Sequence, residues 1–390
     1  MIRYAAIVAC AVVFIAGAWA QDEEPWYRTR IPEYSDTRWE QPVPPLPERG
    51  TVTREDYLRY IRGTYPAQRD AYLPRAGDPD LKRQYLSARR EAFFYQVDGD
   101  EQHARNAMQF IRGDYAYWDH GAGAELGVGF NVVGPAMQAY LWIRTSPSLT
   151  AEDHQLVHDW FNLLESRAER FEFGAMNRSA GWATGRKLLA LVYPDDPNAD
   201  ERLEYANTVW GQWWERRDTF ENAEGYNALW WTYVVEWLQA AGKEDAYQDP
   251  GVRELVYRFV RRATPLGPVP AYGDGPGWNN HPGRWIWLLE KWASVYDDGR
   301  LKWIAHRIFE YIDPQQEEMQ QWGNINVSVM ESLMAAYLVA DDSVEEVQPD
   351  WGILATERAG MEWLPKDEWR LNWLIIIWEF CIEKNRLNPA

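Results

Sequence analysis

From about residue 51 onward, apolar side chains recur every three to four positions, and period-two alternation is nearly absent. That spacing predicts a train of amphipathic helices. Segments such as "DLKRQYLSARREAFFYQVDG", "EQHARNAMQFIRGDYAYWD", "YNALWWTYVVEWLQAAGK" and "NINVSVMESLMAAYLVA" are each closed by Pro, Gly or acidic turn residues. Thr53 with Asp56, and Thr150 with Asp153, have the Ser/Thr-x-x-acid spacing of a capping box, so each marks a helix start. The pattern predicts about fourteen helices of about 12 to 20 residues joined by short loops, the last near 367–384.

The fold expected from this pattern is all-α. No repeat period is exact, and the chain is too short for a long solenoid. It therefore predicts an α/α toroid, an incomplete barrel of about six to seven helical hairpins, over residues 51–390, with loops at one rim free to build a site. An open α-solenoid is the alternative. Residues 21–50 are rich in Pro, Arg and Glu without periodicity, and read as an extended arm. Residues 1–20 carry one basic residue, Arg3, then an apolar run ending Ala18, Trp19, Ala20. That is the pattern of a signal peptide cut after Ala20, which predicts a periplasmic or secreted protein.

No later segment reaches the ~20 apolar residues of a membrane span; the longest, "WLIIIWEFCI", carries Glu379. The chain has two cysteines, and Cys10 would leave with the signal, so Cys381 alone allows neither a disulfide nor a cysteine metal site. Net charge is −19, one unit more negative without Arg3, which argues against nucleic acid and anionic membranes as partners. The same charge repels a polyanion at long range. Beyond ~10 Å that repulsion is largely screened at moderate salt, so a local basic cleft overrides it. The 24 Trp and 22 Tyr are either large core fillers or platforms for the apolar faces of sugar rings.

Three polar clusters interrupt the helices at their ends. The first, "FGAMNRSAGW", places Asn177 and Arg178 at a helix entrance. The second, "FENAEGYNALWW", holds Glu221, Asn222, Glu224 and Tyr226. The third, "PLGPVPAYGDGPGWNNHPGRW", is the longest loop of the helical region and carries Tyr272, Asp274, Trp278, Asn279, Asn280, His281 and Arg284. Each has a purely structural alternative: Asn177, or Glu221 with Asn222, as helix caps, and Asp274 with Gly275 as a turn. His154 and His158 share a helix face, but "HQLVH" lacks the acid of a zinc-protease motif, so they are expected to face solvent. No phosphate loop, dinucleotide fingerprint or nucleophile elbow is present, and no metal or cofactor is implied.

What remains is chemistry of Tyr, Asn, His and Arg. It suits β-elimination from a uronic acid, where a base removes the C5 proton, an acid protonates the leaving oxygen, and donors neutralise the carboxylate. At these residues the chain resembles the α/α-toroid polysaccharide lyases, the group of alginate, glucuronan and heparinase II/III-like enzymes. Alginate lyases of this architecture carry Asn-Asn-His-x-x-Trp, then an Arg and a Tyr some fifty residues on. Here "NRSAGW" supplies Asn177 and Trp182 without the His; Tyr226 follows 49 residues after Asn177, with Arg216 or Arg217 upstream. The triplet Asn279, Asn280, His281 comes after Tyr226, out of the family's order.

The resemblance implies a lyase acting on an anionic, uronate-containing polysaccharide of alginate or glucuronan type. Tyr226 would be base and acid, Asn222 and His281 carboxylate neutralisers, and Arg284 an anchor. Asn177, Arg178, Tyr272, Asp274, Trp278 and Asn280 would bind substrate. The rivals are an inverting glycoside hydrolase using Asp274 with Glu221 or Glu224, which needs carboxyls roughly 6.5–9.5 Å apart, and a non-catalytic carbohydrate-binding protein.

Overall fold

The computed structural model describes residues 52–129, 131–168, 176–217, 224–263, 282–312 and 325–350, all within one compact unit spanning Val52–Ala390. These residues are all-α. They form α1 (Arg54–Tyr72), α2 (Gln84–Asp98), α3 (Glu101–Asp119), α4 (Val133–Ile143), α5 (Ala151–Ser166) and α6 (Asn177–Val192). There follow α7 (Ala199–Arg216), α8 (Glu224–Ala241), α9 (Pro250–Arg262), α10 (Pro282–Tyr296), α11 (Gly299–Ile312) and α12 (Ile325–Val339). Among the described residues the sole extended pairing is an isolated bridge between Val128 and Ala168. The signal, the arm and the helix expected near 367–384 lie outside the described residues.

The two capping boxes form as read. Thr53 and Asp56 reciprocate at the start of α1, and Thr150 and Asp153 at the start of α5, each pair satisfying backbone donors that a helix start leaves open. Asn177 is not a cap: Met176 occupies the N-cap, and Asn177 is the first helical residue of α6, buried.

The even-numbered helices touch in sequence order, α2 on α4, α4 on α6, α6 on α8, α8 on α10 and α10 on α12. The odd-numbered α3, α5, α7 and α11 each pack on an even-numbered neighbour, and α1 packs on α12. Small residues permit close helix approach: a β-carbon on Gly185 of α6 would lie 2.9 Å from Val133 Cγ1 of α4, closer than real contacts allow.

Two buried carboxylates hold α1 in place. Tyr57 donates to Glu290 Oε1 of α10 at 2.5 Å, and Tyr65 donates to Glu91 Oε1 of α2 at 2.5 Å. Each carboxylate also meets a histidine of the following helix, His306 Nε2 at 3.0 Å from Glu290 and His103 Nδ1 at 2.6 Å from Glu91. Inside a low-dielectric core such charged networks fix one arrangement, because removing a partner from a buried charge costs several kcal/mol.

Among the described residues, most tryptophans belong to the core. Trp160, Trp182, Trp213, Trp230 and Trp292 are fully buried, and Trp210 stacks on Trp237 at a centroid distance of 4.0 Å. Indoles from α7, α8 and α10 continue through Trp213, Trp230, Trp231 and Trp292, each within 5.5 Å of the next. They fill helix interfaces, where a flat ring of this area excludes most water for two rotatable bonds. The rings of this interface meet one another, whereas Trp287 of α10 lines the cavity described below. The histidines of α5 also differ from expectation: His154 meets the Tyr140 hydroxyl at 2.8 Å and His158 meets Asp196 at 2.7 Å. Both are half-buried, His154 against Tyr140 of α4 and His158 against Asp196 in the loop after α6.

His306 generates a stability test. Burial alone would lower its pKa below the ordinary 6.5, but its hydrogen bonds to Glu290 and Glu346 and their charges outweigh burial, and the net shift is upward. A raised folded pKa contributes stability that is full below 6.5 and is lost as pH rises through the folded value. Thermal melts of wild type and His306→Gln across pH should therefore show the largest wild-type advantage at acid pH, shrinking as the pH rises. An advantage that grows with pH would contradict the network.

Candidate functional site

Five helices line a half-open cavity of about 240 Å³. On α8, Leu229, Thr232, Tyr233 and Glu236 line it, spaced i, i+3, i+4 and i+7, the positions of one helix face. α10 contributes Arg284 and Trp287, α2 contributes Tyr85 and Arg89, α12 contributes Glu331 and Ala335, and α4 contributes Pro135.

Arg83 also lines the cavity and caps α2 with φ of 63°, in the left-handed region. That conformation costs a residue with a side chain roughly 1–2 kcal/mol, a cost of the kind that clusters at functional sites. The start of α2 is fixed from behind. Asp114 of α3 accepts from the Tyr85 N–H at 3.2 Å and from the indoles of Trp118 and Trp160 at 3.0 and 3.1 Å. Burial pushes the Asp114 carboxyl up to about 7, even with these donors pulling it down.

The cavity is basic and aromatic in a strongly acidic chain. Arg89 forms an ion pair with Glu331 at 3.2 Å, and Arg90 Nε donates to the same carboxylate at 2.9 Å. These pairs tie α2 to α12. All three side chains are at most 10 % exposed, and Arg89 Nε has no hydrogen-bond partner. Burial holds the Tyr233 hydroxyl well above the ordinary phenol value, with Arg284 and Arg89 pulling partly the other way, so it is a proton donor at neutral pH. Thr184 Oγ1 of α6 donates to the Tyr233 carbonyl at 2.9 Å and so fixes this turn of α8.

Glu236 differs from the other acids of the cavity. It has no hydrogen bond or ion pair among the described residues, and burial pushes its carboxyl up to about 7, with Arg89 pulling it down. Glu236 is partly exposed and lines the cavity, while burial remains the main cause of its raised value. Opposite it α4 is bare: a β-carbon on Gly134 would sit 3.8 Å from Glu236 Oε2.

Of the residues singled out from sequence, Arg284 lines this cavity. Tyr226 lies on the same α8 stripe, seven residues before Tyr233, and is 41 % exposed. That spacing puts it two turns, about 10 Å, further toward the helix start. Asn177 and Arg178 begin α6 and do not line the cavity; Arg178 is exposed. Arg217 pairs with Asp249 at 3.0 Å, away from the cavity. Glu224 opens α8, its side chain outside the described residues. Glu221, Asn222, Tyr272, Asp274, Trp278, Asn279, Asn280 and His281 also lie outside them. Among the described residues no three His, Cys, Asp or Glu converge as metal ligands, and no helix is long and apolar enough to cross a membrane.

Arg83, Arg89, Tyr233 and Glu236 were not among the residues singled out. A signal for Glu236 exists: "WWTYVVEWLQ" is apolar on every face, which marks a buried helix, so its one acid must be buried with it. Compared with protein-family models the chain matches none, and it matches no curated protein.

Replacing one member of the buried Arg89, Arg90 and Glu331 cluster tests its role in holding α2 to α12. Glu331→Gln leaves two buried guanidiniums short of a counter-charge, and chemical denaturation should show a loss of about 3–5 kcal/mol. A loss below 1 kcal/mol would mean that the cluster is solvated.

Proposed function

We propose that the protein is an exported α/α-toroid lyase that cleaves a uronate-containing polysaccharide, of alginate or glucuronan type, by β-elimination. The toroid reading is supported by the packing, in which even-numbered helices follow one another in sequence order and five of them, α2, α4, α8, α10 and α12, line one cavity. The observation that carries the function is the charge of the cavity. Arg83, Arg89 and Arg284 line it against two carboxyls, Glu331 paired with Arg89 and Glu236 pushed toward its neutral acid, which leaves a net basic lumen in a chain of net charge −19, suited to an acidic sugar where the surface as a whole repels one.

In this reading Arg284 anchors the carboxylate of a uronate further along the bound chain, and Asn222 and His281 neutralise the carboxylate of the reacting sugar beside Tyr226. Neutralising that carboxylate makes the C5 proton acidic. Tyr226, at the solvent end of the α8 stripe, removes the proton and returns it to the leaving oxygen. Tyr233 suits a different task, because burial disfavours its phenolate and leaves it a hydrogen-bond donor to the carboxylate anchored on Arg284. An N-terminal segment with the signal-peptide pattern supports a periplasmic or secreted location, where such polymers are met.

A second reading, an inverting glycoside hydrolase, is favoured by one observation: two carboxyls, Glu236 and Glu331, line the same cavity. One assay separates the two. The chain is incubated with alginate, glucuronan and glycosaminoglycans while unsaturated-uronate absorbance and reducing ends are both followed. The lyase reading predicts that the two rise together, and reducing ends without the absorbance would mean hydrolysis. Tyr226→Phe should lower kcat by about 10²–10⁴, and Arg284→Ala should lower kcat/KM by about 30-fold, the equivalent of ~2 kcal/mol. No new ends on any substrate would leave a carbohydrate-binding protein.

A further inference from the structure

We propose that the cavity binds a sugar carboxylate together with a proton, which Glu236 takes up from solvent and shares with the bound anion. This rests on the reading of the cavity as a uronate site, and adds the form in which the anion is held.

The argument begins with an arrangement that does not balance by itself. Glu236 projects into a cavity lined by cations, yet none of them is within ion-pairing distance of it. The charged and titratable groups that face the lumen are Arg83, Tyr85 and Arg89 from the α2 side, Tyr233 beside Glu236 on α8, Arg284 from α10 and Glu331 from α12. Arg89 is committed to Glu331 at 3.2 Å, and α4 offers the bare backbone of Gly134. A buried carboxyl without a partner is held as the neutral acid more readily than a solvated one, and burial places Glu236 near neutrality.

A carboxylic acid in that position is a hydrogen-bond donor, and an ionised one repels any incoming anion. A substrate carboxylate seated on a cavity guanidinium has a second oxygen to satisfy, and neutral Glu236 supplies the donor. The balance is simple: one proton leaves solvent and joins a Glu236 oxygen as the anion enters, and it returns to solvent as the anion leaves. Protons and charge are conserved, and no other reactant takes part.

The test is isothermal titration of the whole chain with uronate oligosaccharides in buffers of different ionisation enthalpy. Wild type should take up about half a proton per ligand at pH 7 and about one at pH 8, and its affinity should fall about tenfold per pH unit above 7. In Glu236→Gln, whose amide still donates, the uptake should vanish and the affinity should become independent of pH over that range. Binding without proton uptake in wild type would overturn the inference and leave the uronate site standing. Absence of binding at every pH would overturn both. Proton-coupled binding with no unsaturated product in the lyase assay would support the inference and remove the lyase.

Discussion

Glu331 takes the charge of two arginines at once, and the cavity depends on that interaction. It sits on α12 and both guanidiniums sit on α2, so one carboxylate joins helices at opposite ends of the described chain. Buried cations of this kind are tolerated only when paired, and the pairing leaves Arg89 lining the lumen with its charge compensated from one side. Were the arginines replaced by apolar residues, α2 and α12 could still pack, and the cavity would lose its basic character. The ion pairs are thus better understood as fixing an arrangement than as adding stability.

The rest of the architecture serves the same arrangement from outside. Asp114 fixes the start of α2, Thr184 fixes α8 at Tyr233, and α1 is held by Glu91 and Glu290. The indole-filled interfaces of α7, α8 and α10 provide a rigid backing, since interiors packed at crystal-like density transmit little slack. A site mounted on such helices is preorganised. Its polar groups are in place before a ligand arrives, which is where electrostatic binding and catalysis gain most.

The helices were legible because burial of one face imposes a period that the sequence must carry; α3 and α12 run almost as their apolar spacing predicts. Thr53 and Thr150 were legible because capping needs particular side chains at particular offsets. Site residues were harder to read. Arg284 stood out because it adjoins a Gly- and Pro-rich loop, whereas Arg89 in "SARRE" looks no different from any arginine on a helix face. Tyr233 and Glu236 read as part of a helix interior. The tryptophans stayed open between core and sugar contact, because composition does not say whether an indole meets a sugar or another indole. That is decided by helix packing, which brings distant parts of the chain together.

The central claim is that the arginine-lined cavity is where an acidic sugar binds. The most direct test is a crystal structure of the chain soaked with a uronate disaccharide. The account predicts ligand density inside the cavity, with the sugar carboxylate on the Arg284 guanidinium and within hydrogen-bonding reach of Glu236 and Tyr233. Density confined to another surface, with the cavity holding water alone, would contradict it.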